Sequence, residues 1–250
     1  MRPVLFQLGD ANVYAYGVMV IVSMAAGFGL AIVAALRAKL QVGPVLMAAT
    51  LFLMGLGFGG KVAALFELRE LTLRSVLGGG LYLAPGLLLG VLIAIPIPIL
   101  FKQSVGATFD ALAPALLGSL ALGRVGCFLA GCCYGRPTDL PWAMHFPNLP
   151  MEFGGHGAHP TQLYLFLALG SSSLVLLSVL GRGGFRGQLA LLATTVFALV
   201  TMSERTFRYS EQRPSTWPYF AWGLVLVTSL VLAFVLRPKA PAVSSGSPSA

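Results

Sequence analysis

Stretches without a single Lys, Arg, Asp or Glu divide this chain: residues 11–36, 40–60, 75–101, 153–181 and 214–236. Each is at least as long as the roughly 20 residues that a helix needs to cross the hydrocarbon core of a bilayer. Two shorter apolar runs, 111–123 and 187–203, reach that length once their charged edges are included. Apolar residues surround these segments on all sides, so no stripe marks a half-solvated helix of a soluble protein. The pattern predicts an all-α integral membrane protein of about seven transmembrane helices, near 12–36, 44–66, 77–101, 106–126, 160–181, 187–205 and 216–236. The first segment is too long for the apolar region of a signal peptide, and Arg37-Ala38-Lys39 offers no small-residue cleavage pattern, so it reads as a retained span.

Most connections are short. The exception is 127–159, rich in glycine and carrying Pro137, Pro141, Pro147 and Pro150, with Pro160 just beyond. Such a segment is neither helix nor lipid-exposed strand, and a long irregular loop in a compact protein is often functional. The expected organisation is one polytopic membrane domain over 1–239, with 127–159 as an irregular outer loop and 240–250 as a disordered tail. Glycines crowd the spans. Most read as sites of close helix packing, and the run Gly78–Gly80 also permits a broken helix entry.

Charge adds orientation. The chain has 250 residues, 57% hydrophobic and 10% charged, with a net charge of +8. In a soluble protein that excess would point to nucleic acid; here it comes from the loops, and no nucleic-acid partner is expected. Arg37 and Lys39, Lys102, Arg182 and Arg186, and Arg237 and Lys239 occupy alternate connections free of acids. The remaining connections mix signs. The positive-inside rule then puts the purely basic loops and the C-terminus in the cytoplasm and the N-terminus outside.

Two cations stand where hydrocarbon is expected. An ionised side chain at mid-membrane costs about 2.5–3.5 kcal/mol or more and usually faces an interior cavity. Lys61 lies in Phe58-Gly59-Gly60-Lys61, where it can also snorkel to the interface. Arg124 lies between Gly123 and Gly126, in Gly123-Arg124-Val125-Gly126. Those glycines leave its guanidinium unshielded, and arginine matches phosphate bidentately, although capping carbonyls at a helix end is the plainer role. Glu204, Arg205 and Arg208 close the sixth span, with Glu204 and Arg208 spaced to pair along one helix face. Arg205 or Arg208 beside Arg124, over an apolar cavity, would describe a phospholipid headgroup site. His159-Pro160-Thr161-Gln162-Leu163-Tyr164 opens the fifth span; an imidazole there is either a hydrogen-bonding anchor or a proton carrier. Cys127, Cys132 and Cys133 lie close together in sequence, near His145, His156 and His159. Their C-x4-C-C spacing is not a common zinc pattern, so no metal site is assigned; apolar packing is the default for such thiols, and a disulfide is open to them on an oxidising face.

Three segments together resemble the bacterial prolipoprotein diacylglyceryl transferase family. Residues 123–136, Gly-Arg-Val-Gly-Cys-Phe-Leu-Ala-Gly-Cys-Cys-Tyr-Gly-Arg, are similar to its signature G-R-x-G-N-F-x-N-G-E-x-x-G-R. Residues 159–164 resemble its H-P-S-Q-L-Y-E, and Tyr16-Gly17-Val18-Met19 its W-Y-G-x-M. The resemblance implies an enzyme of the bacterial inner membrane without a cofactor. It would move diacylglyceryl from phosphatidylglycerol to the lipobox cysteine thiol in a preprolipoprotein signal peptide. It further implies catalytic roles for Arg124, Arg208 and His159. Lipid-binding positions would be Tyr16, Lys61, Gly123, Gly126, Gly135, Gln162, Tyr164, Glu204 and Arg205, amid surrounding membrane lipids. The chain departs from the family pattern in places. Ala84 stands at the histidine of G-G-M-S-F-H-G-G, Cys127 and Cys132 at an Asn and a Glu of the signature, Leu165 at the final Glu of the H-P-x-Q-L-Y-E segment, and Lys61 at an Arg. His159 or Tyr82 would then have to compensate as proton acceptor. The competing reading is a paralogue that binds or presents anionic phospholipid without chemistry; a solute transporter would need polar residues spread over more spans.

Overall fold

The computed structural model describes residues 4–8, 11–68, 83–147, 149–209, 223, 225 and 227–229. Five helices in it are long and apolar enough to cross a membrane. A short hairpin, β1 (Val4–Leu8) with β2 (Ala11–Tyr14), leads directly into α1 (Ala15–Arg37). Next come α2 (Val42–Leu68), α3 (Leu83–Ala94), α4 (Pro96–Leu100) and α5 (Val105–Ala130). The loop after α5 carries the two-residue strands β3 (Pro137–Thr138) and β4 (Gly157–Ala158), then α6 (Thr161–Leu180) and α7 (Gln188–Phe207) follow. Positions 223, 225 and 227–229 are helical, and the Ser229 and Thr195 hydroxyls lie 2.9 Å apart, which ties that helix to α7. The first residues of the third expected span, with Gly78–Gly80 and Tyr82, lie outside the described residues. So do most of the seventh span, the charged connections at 69–74 and 210–213, and the 240–250 tail.

The elements agree with the expected all-α membrane architecture, with three differences. The N-terminal hairpin was not anticipated, because five residues of mixed polarity carry little strand signal. The third span is broken at Ile95, where Pro96 and Pro98 remove backbone donors and force α4 to restart. Helix α5 runs on to Ala130, since Cys127-Phe128-Leu129-Ala130 is still apolar. Gly131, at φ 70°, stops it in the left-handed turn that glycine adopts without cost.

Size sorting holds the bundle together. The buried positions are dominated by alanine: Ala31, Ala34, Ala35, Ala48, Ala94, Ala111, Ala115, Ala121 and Ala198 among them. Large apolar side chains such as Ile21, Met54, Phe58, Leu88, Leu100, Leu167 and Leu174 point outward. In lipid there is no hydrophobic gain from burying leucine against leucine, so small residues that let backbones approach take the interior. The closest approach joins α2 and α3, which run antiparallel through Gly55 and Gly59 on one side and Gly86 and Gly90 on the other. A methyl group on Gly90 would sit 2.7 Å from the Phe52 carbonyl oxygen, and one on Gly55 2.7 Å from the Gly90 Cα. Helix α5 is the hub: α1 and α6 pack along its length and α7 joins them. Ser173 on α6 donates to the Pro114 carbonyl at 2.7 Å. At the basic-loop end, buried Asp110 accepts from the Gly187 and Ala190 amides at 2.7 and 2.9 Å, capping the N-terminus of α7.

At the opposite end the loop is clasped to two helices. The Gly135 amide donates to the His159 carbonyl (2.8 Å) and the Arg136 amide to the Phe207 carbonyl (2.7 Å). Gly135 is buried; an added Cβ would lie 2.7 Å from both the His159 Cβ and the Phe207 oxygen. Above the clasp, Tyr134 stacks on Phe146 (centroids 5.3 Å apart), and Phe153 meets Tyr209 edge-on at 5.1 Å. This aromatic core keeps in one place a proline-rich loop whose own regular structure is limited to the short β3–β4 pair and a single 3-10 turn at Met151–Phe153.

Gly90→Ala should destabilise the bundle by about 1–3 kcal/mol through overpacking, lowering the melting temperature in detergent by several degrees. Gly57→Ala, whose methyl meets nothing within 4 Å, should leave it unchanged. Gly135→Ala should open the clasp selectively: amide exchange at positions 135 and 136 is expected to rise about tenfold or more, with the α2–α3 amides unaffected.

Candidate functional site

Between α1, α2, α3, α5 and α7 lies a cavity of about 570 Å³, within the usual range for ligand pockets. Its walls are oily. Val20, Met24 and Phe28 come from α1, Phe52 and Leu53 from α2, Leu87 and Val91 from α3, Leu112, Leu116 and Leu120 from α5, and Ala193 and Phe197 from α7. The hydroxyls of Ser23, Ser119 and Thr194 are the few neutral polar groups along it. Ser23 and Ser119 donate to backbone carbonyls one turn back, which leaves the walls effectively apolar.

One end differs. Helices α1 and α5 are antiparallel, Gly27 facing Ser119 and Gly126 facing Met19, so the start of α1 meets the end of α5. There the lining consists of Tyr16, Gly123, Arg124, Cys127, Cys133 and Arg208. Arg124 is half-buried and projects from the last two turns of α5. Nothing lies within 4 Å of the Cβ that Gly123 lacks, so the space beside the guanidinium is open. Gly126 instead lets α1 approach, with Met19 Cβ 2.9 Å from the position a methyl would take. Arg208, the residue that ends α7, is held from two directions. Its Nη1 lies 3.7 Å from Oε1 of buried Glu204, and its Nη2 donates to Cys133 Sγ at 3.3 Å. Glu204 therefore aims Arg208 along the helix face, as the i, i+4 spacing predicts, and does not itself line the cavity.

The other sequence candidates lie off this lining. Lys61 and Arg205 are half-buried on α2 and α7. His159, Gln162 and Tyr164 form a support at the start of α6. The Gln162 amide donates to the Cys132 carbonyl at 2.5 Å, and neighbouring Thr161 to the Cys133 carbonyl at 2.7 Å. Tyr164 accepts from Trp142 Nε1 (2.8 Å) and sits 3.2 Å from His159 Nδ1. These bonds fix the Cys132–Cys133 backbone, and Cys133 takes φ 62°, a left-handed conformation uncommon for a side-chain-bearing residue. Hydrogen bonds from the Cys127 and Cys132 thiols, with Arg208 and Arg124 nearby, hold the Cys133 thiol well below the ordinary cysteine range. All three cysteines are free thiols.

Sequence reasoning passed over Cys127 and Cys133 as cavity residues. Their spacing gave no helical or metal pattern; only the turn at Gly131, which folds residues 132 and 133 back against 127, brings them together.

A family profile for prolipoprotein diacylglyceryl transferase matches residues 3–237. A relative from Coxiella burnetii, named phosphatidylglycerol–prolipoprotein diacylglyceryl transferase, is 36% identical over 183 residues, covering 68% of this chain and 67% of its own. Relatives of the same name from Geobacter sulfurreducens and Legionella pneumophila are 32% identical over 189 residues (72% and 71% of the two chains) and 28% over 227 (85% and 86%). With a matched signature spanning nearly the whole sequence and a cation-ended apolar chamber at its centre, the chain belongs to the prolipoprotein diacylglyceryl transferase family of membrane transferases.

Proposed function

We propose that this chain transfers the diacylglyceryl group of phosphatidylglycerol to the lipobox cysteine of a preprolipoprotein, at the outer face of a bacterial inner membrane, with its N-terminus outside and its C-terminus in the cytoplasm. The observation that carries the reading is the pairing of Arg124 and Arg208 at one end of an otherwise apolar cavity. A phospholipid has the same division, acyl chains on one side and a phosphate on the other. Arg124 and Arg208 hold the phosphate, the walls of α1, α3 and α5 hold acyl chain, and Tyr16 and Gly123 border the headgroup.

In the reaction the acceptor thiol gives up its proton to water, and its sulfur attacks the glyceryl carbon that bears the phosphate. The carbon–oxygen bond breaks, and its electron pair leaves on glycerol phosphate. Negative charge grows on the departing oxygen inside a low-dielectric site, where preorganised guanidinium groups stabilise it far more than water would. Glu204 orients Arg208. His159, Gln162 and Tyr164 position the loop over the reacting end, and Lys61 and Arg205 meet headgroups at the membrane interface.

The test is expression in cells depleted of their own transferase, with mass spectrometry of a reporter lipoprotein. Wild-type chain is expected to yield the diacylglyceryl thioether. Arg124→Ala should reduce it about 10²–10³-fold, the usual cost of losing one charge-stabilising donor. Arg124→Lys should recover only part of the loss, because an ammonium cannot grip phosphate bidentately. Thioether no greater in wild type than in Arg124→Ala, with phosphatidylglycerol still copurifying, would replace the enzyme by a lipid-binding protein.

A further inference from the structure

Among the described residues, Cys127, Cys132 and Cys133 form a cluster whose Sγ atoms all lie within 4.8 Å of one another. Two of the three line the polar end of the cavity, and the third faces outward. Three features mark the cluster as built. The Gln162 and Thr161 side chains from α6 pin the carbonyls of Cys132 and Cys133. Cys133 is held at φ 62°, which turns its thiol back toward α5. Arg208 donates to its sulfur. Packing alone asks for none of this.

We propose that the three thiols bind a zinc ion whose fourth coordination position opens on the cavity and takes the sulfur of the acceptor cysteine. The proposal rests on the transferase reading for its substrate. Zinc binds thiolate at about 2.3 Å, which sets tetrahedral sulfurs about 3.8 Å apart. The sulfurs observed within 4.8 Å need only side-chain rotation of about an ångström to close on it. Three protein ligands and one open position is the arrangement of catalytic rather than structural zinc. Three thiolates leave the zinc centre with a net charge of −1, and Arg208 and Arg124 beside it offset that charge.

The site answers a chemical need. A thiol with a pKa near 8.5 must lose its proton before it attacks carbon, and Ala84 stands where the family pattern that this chain resembles has a histidine. Coordination removes that proton directly, because a metal-bound thiol is deprotonated outright. The step balances as follows. The acceptor S–H loses its proton to water as its sulfur replaces water on zinc. A sulfur lone pair forms the S–C bond to the glyceryl carbon, the C–O bond breaks, and glycerol phosphate departs with that electron pair, held by Arg124 and Arg208. The thioether, a weaker ligand than thiolate, then leaves the metal. No electron is gained or lost by zinc.

The experiment uses the full chain in detergent, reduced and handled without oxygen, equilibrated with zinc or with cobalt(II) as a spectroscopic substitute. A single tightly held zinc per chain is expected by mass spectrometry, and cobalt should show thiolate-to-metal charge-transfer absorption. A lipobox peptide should raise that absorption by about one third, as a fourth thiolate joins three, while the same peptide with its cysteine changed to serine should not. Cys127→Ser and Cys133→Ser should lose the metal, with folding checked by their melting temperatures. Fewer than about 0.1 zinc per chain, or a disulfide within the cluster of the chain purified without reductant, overturns the site. Metal bound with no response to the cysteine peptide overturns its substrate role. Thioether formation unchanged by complete zinc removal also overturns that role and leaves the transferase reading standing, whereas a metal site intact in a chain that makes no thioether tells against the transferase reading alone.

Discussion

A guanidinium on a membrane-spanning helix must either reach water or be given an anion, because hydrocarbon offers it neither hydration nor a counter-charge. Arg124 sits within α5, half-buried, and faces the end of an apolar chamber. Its glycine neighbours on that helix do the rest: Gly123 leaves space beside it, and Gly126 brings α1 close enough to wall the chamber. Much of the remaining architecture serves this placement. Arg208 arrives from α7, aimed by the buried carboxylate of Glu204. The loop is clasped at Gly135 to the ends of α6 and α7, which keeps Cys133 and Arg208 in register with Arg124.

A chamber in a helical bundle needs walls that do not collapse. The alanine-rich contacts of α1 and α5 and the glycine crossing of α2 with α3 set interhelical distances largely through backbone contact, while leucines of α6 (Leu165, Leu169, Leu176 and Leu177) pack against α5 and α7. Such contacts are stiff, so the cavity keeps its shape. The outward-facing Leu, Ile and Phe side chains meet lipid, and the polar caps at Asp110 and at the clasp fix the two ends of the bundle.

Much of this was legible in the chain itself. The five long apolar helices follow from charge-free length, a constraint the bilayer imposes on any helix, whereas the break at Ile95 and the run of α5 on to Ala130 do not. Arg124 stood out because an arginine between glycines in an apolar run is costly unless it meets an anion or reaches water. The i, i+4 relation of Glu204 and Arg208 is local and so could be read directly. What escaped was everything set by chain reversal. Cys132 and Cys133 return to Cys127 only because Gly131 takes a left-handed turn, and no periodicity encodes that. For His159 the sequence left open a hydrogen-bonding anchor or a proton carrier; which groups it meets is set by the loop–helix junction, where its Nδ1 lies 3.2 Å from the Tyr164 hydroxyl, off the cavity lining. The choice between Arg205 and Arg208 depended on how far α7 runs. Its helical geometry ends with Phe207, and the extended backbone at Arg208 swings that side chain toward Cys133.

The central claim is that the Arg124 guanidinium grips a phospholipid phosphate within the bundle. Solid-state NMR on arginine-labelled protein in phosphatidylglycerol bilayers measures it directly, through the dipolar coupling between guanidinium nitrogen and lipid phosphorus. The account predicts a strong coupling at direct hydrogen-bond range that falls in Arg124→Lys, whose ammonium carries no labelled guanidinium, to the part contributed by Arg208, and that persists after bulk lipid is exchanged for phosphatidylcholine. A guanidinium–phosphorus coupling that is the same in wild type and in Arg124→Lys, or that vanishes with bulk exchange, would contradict it.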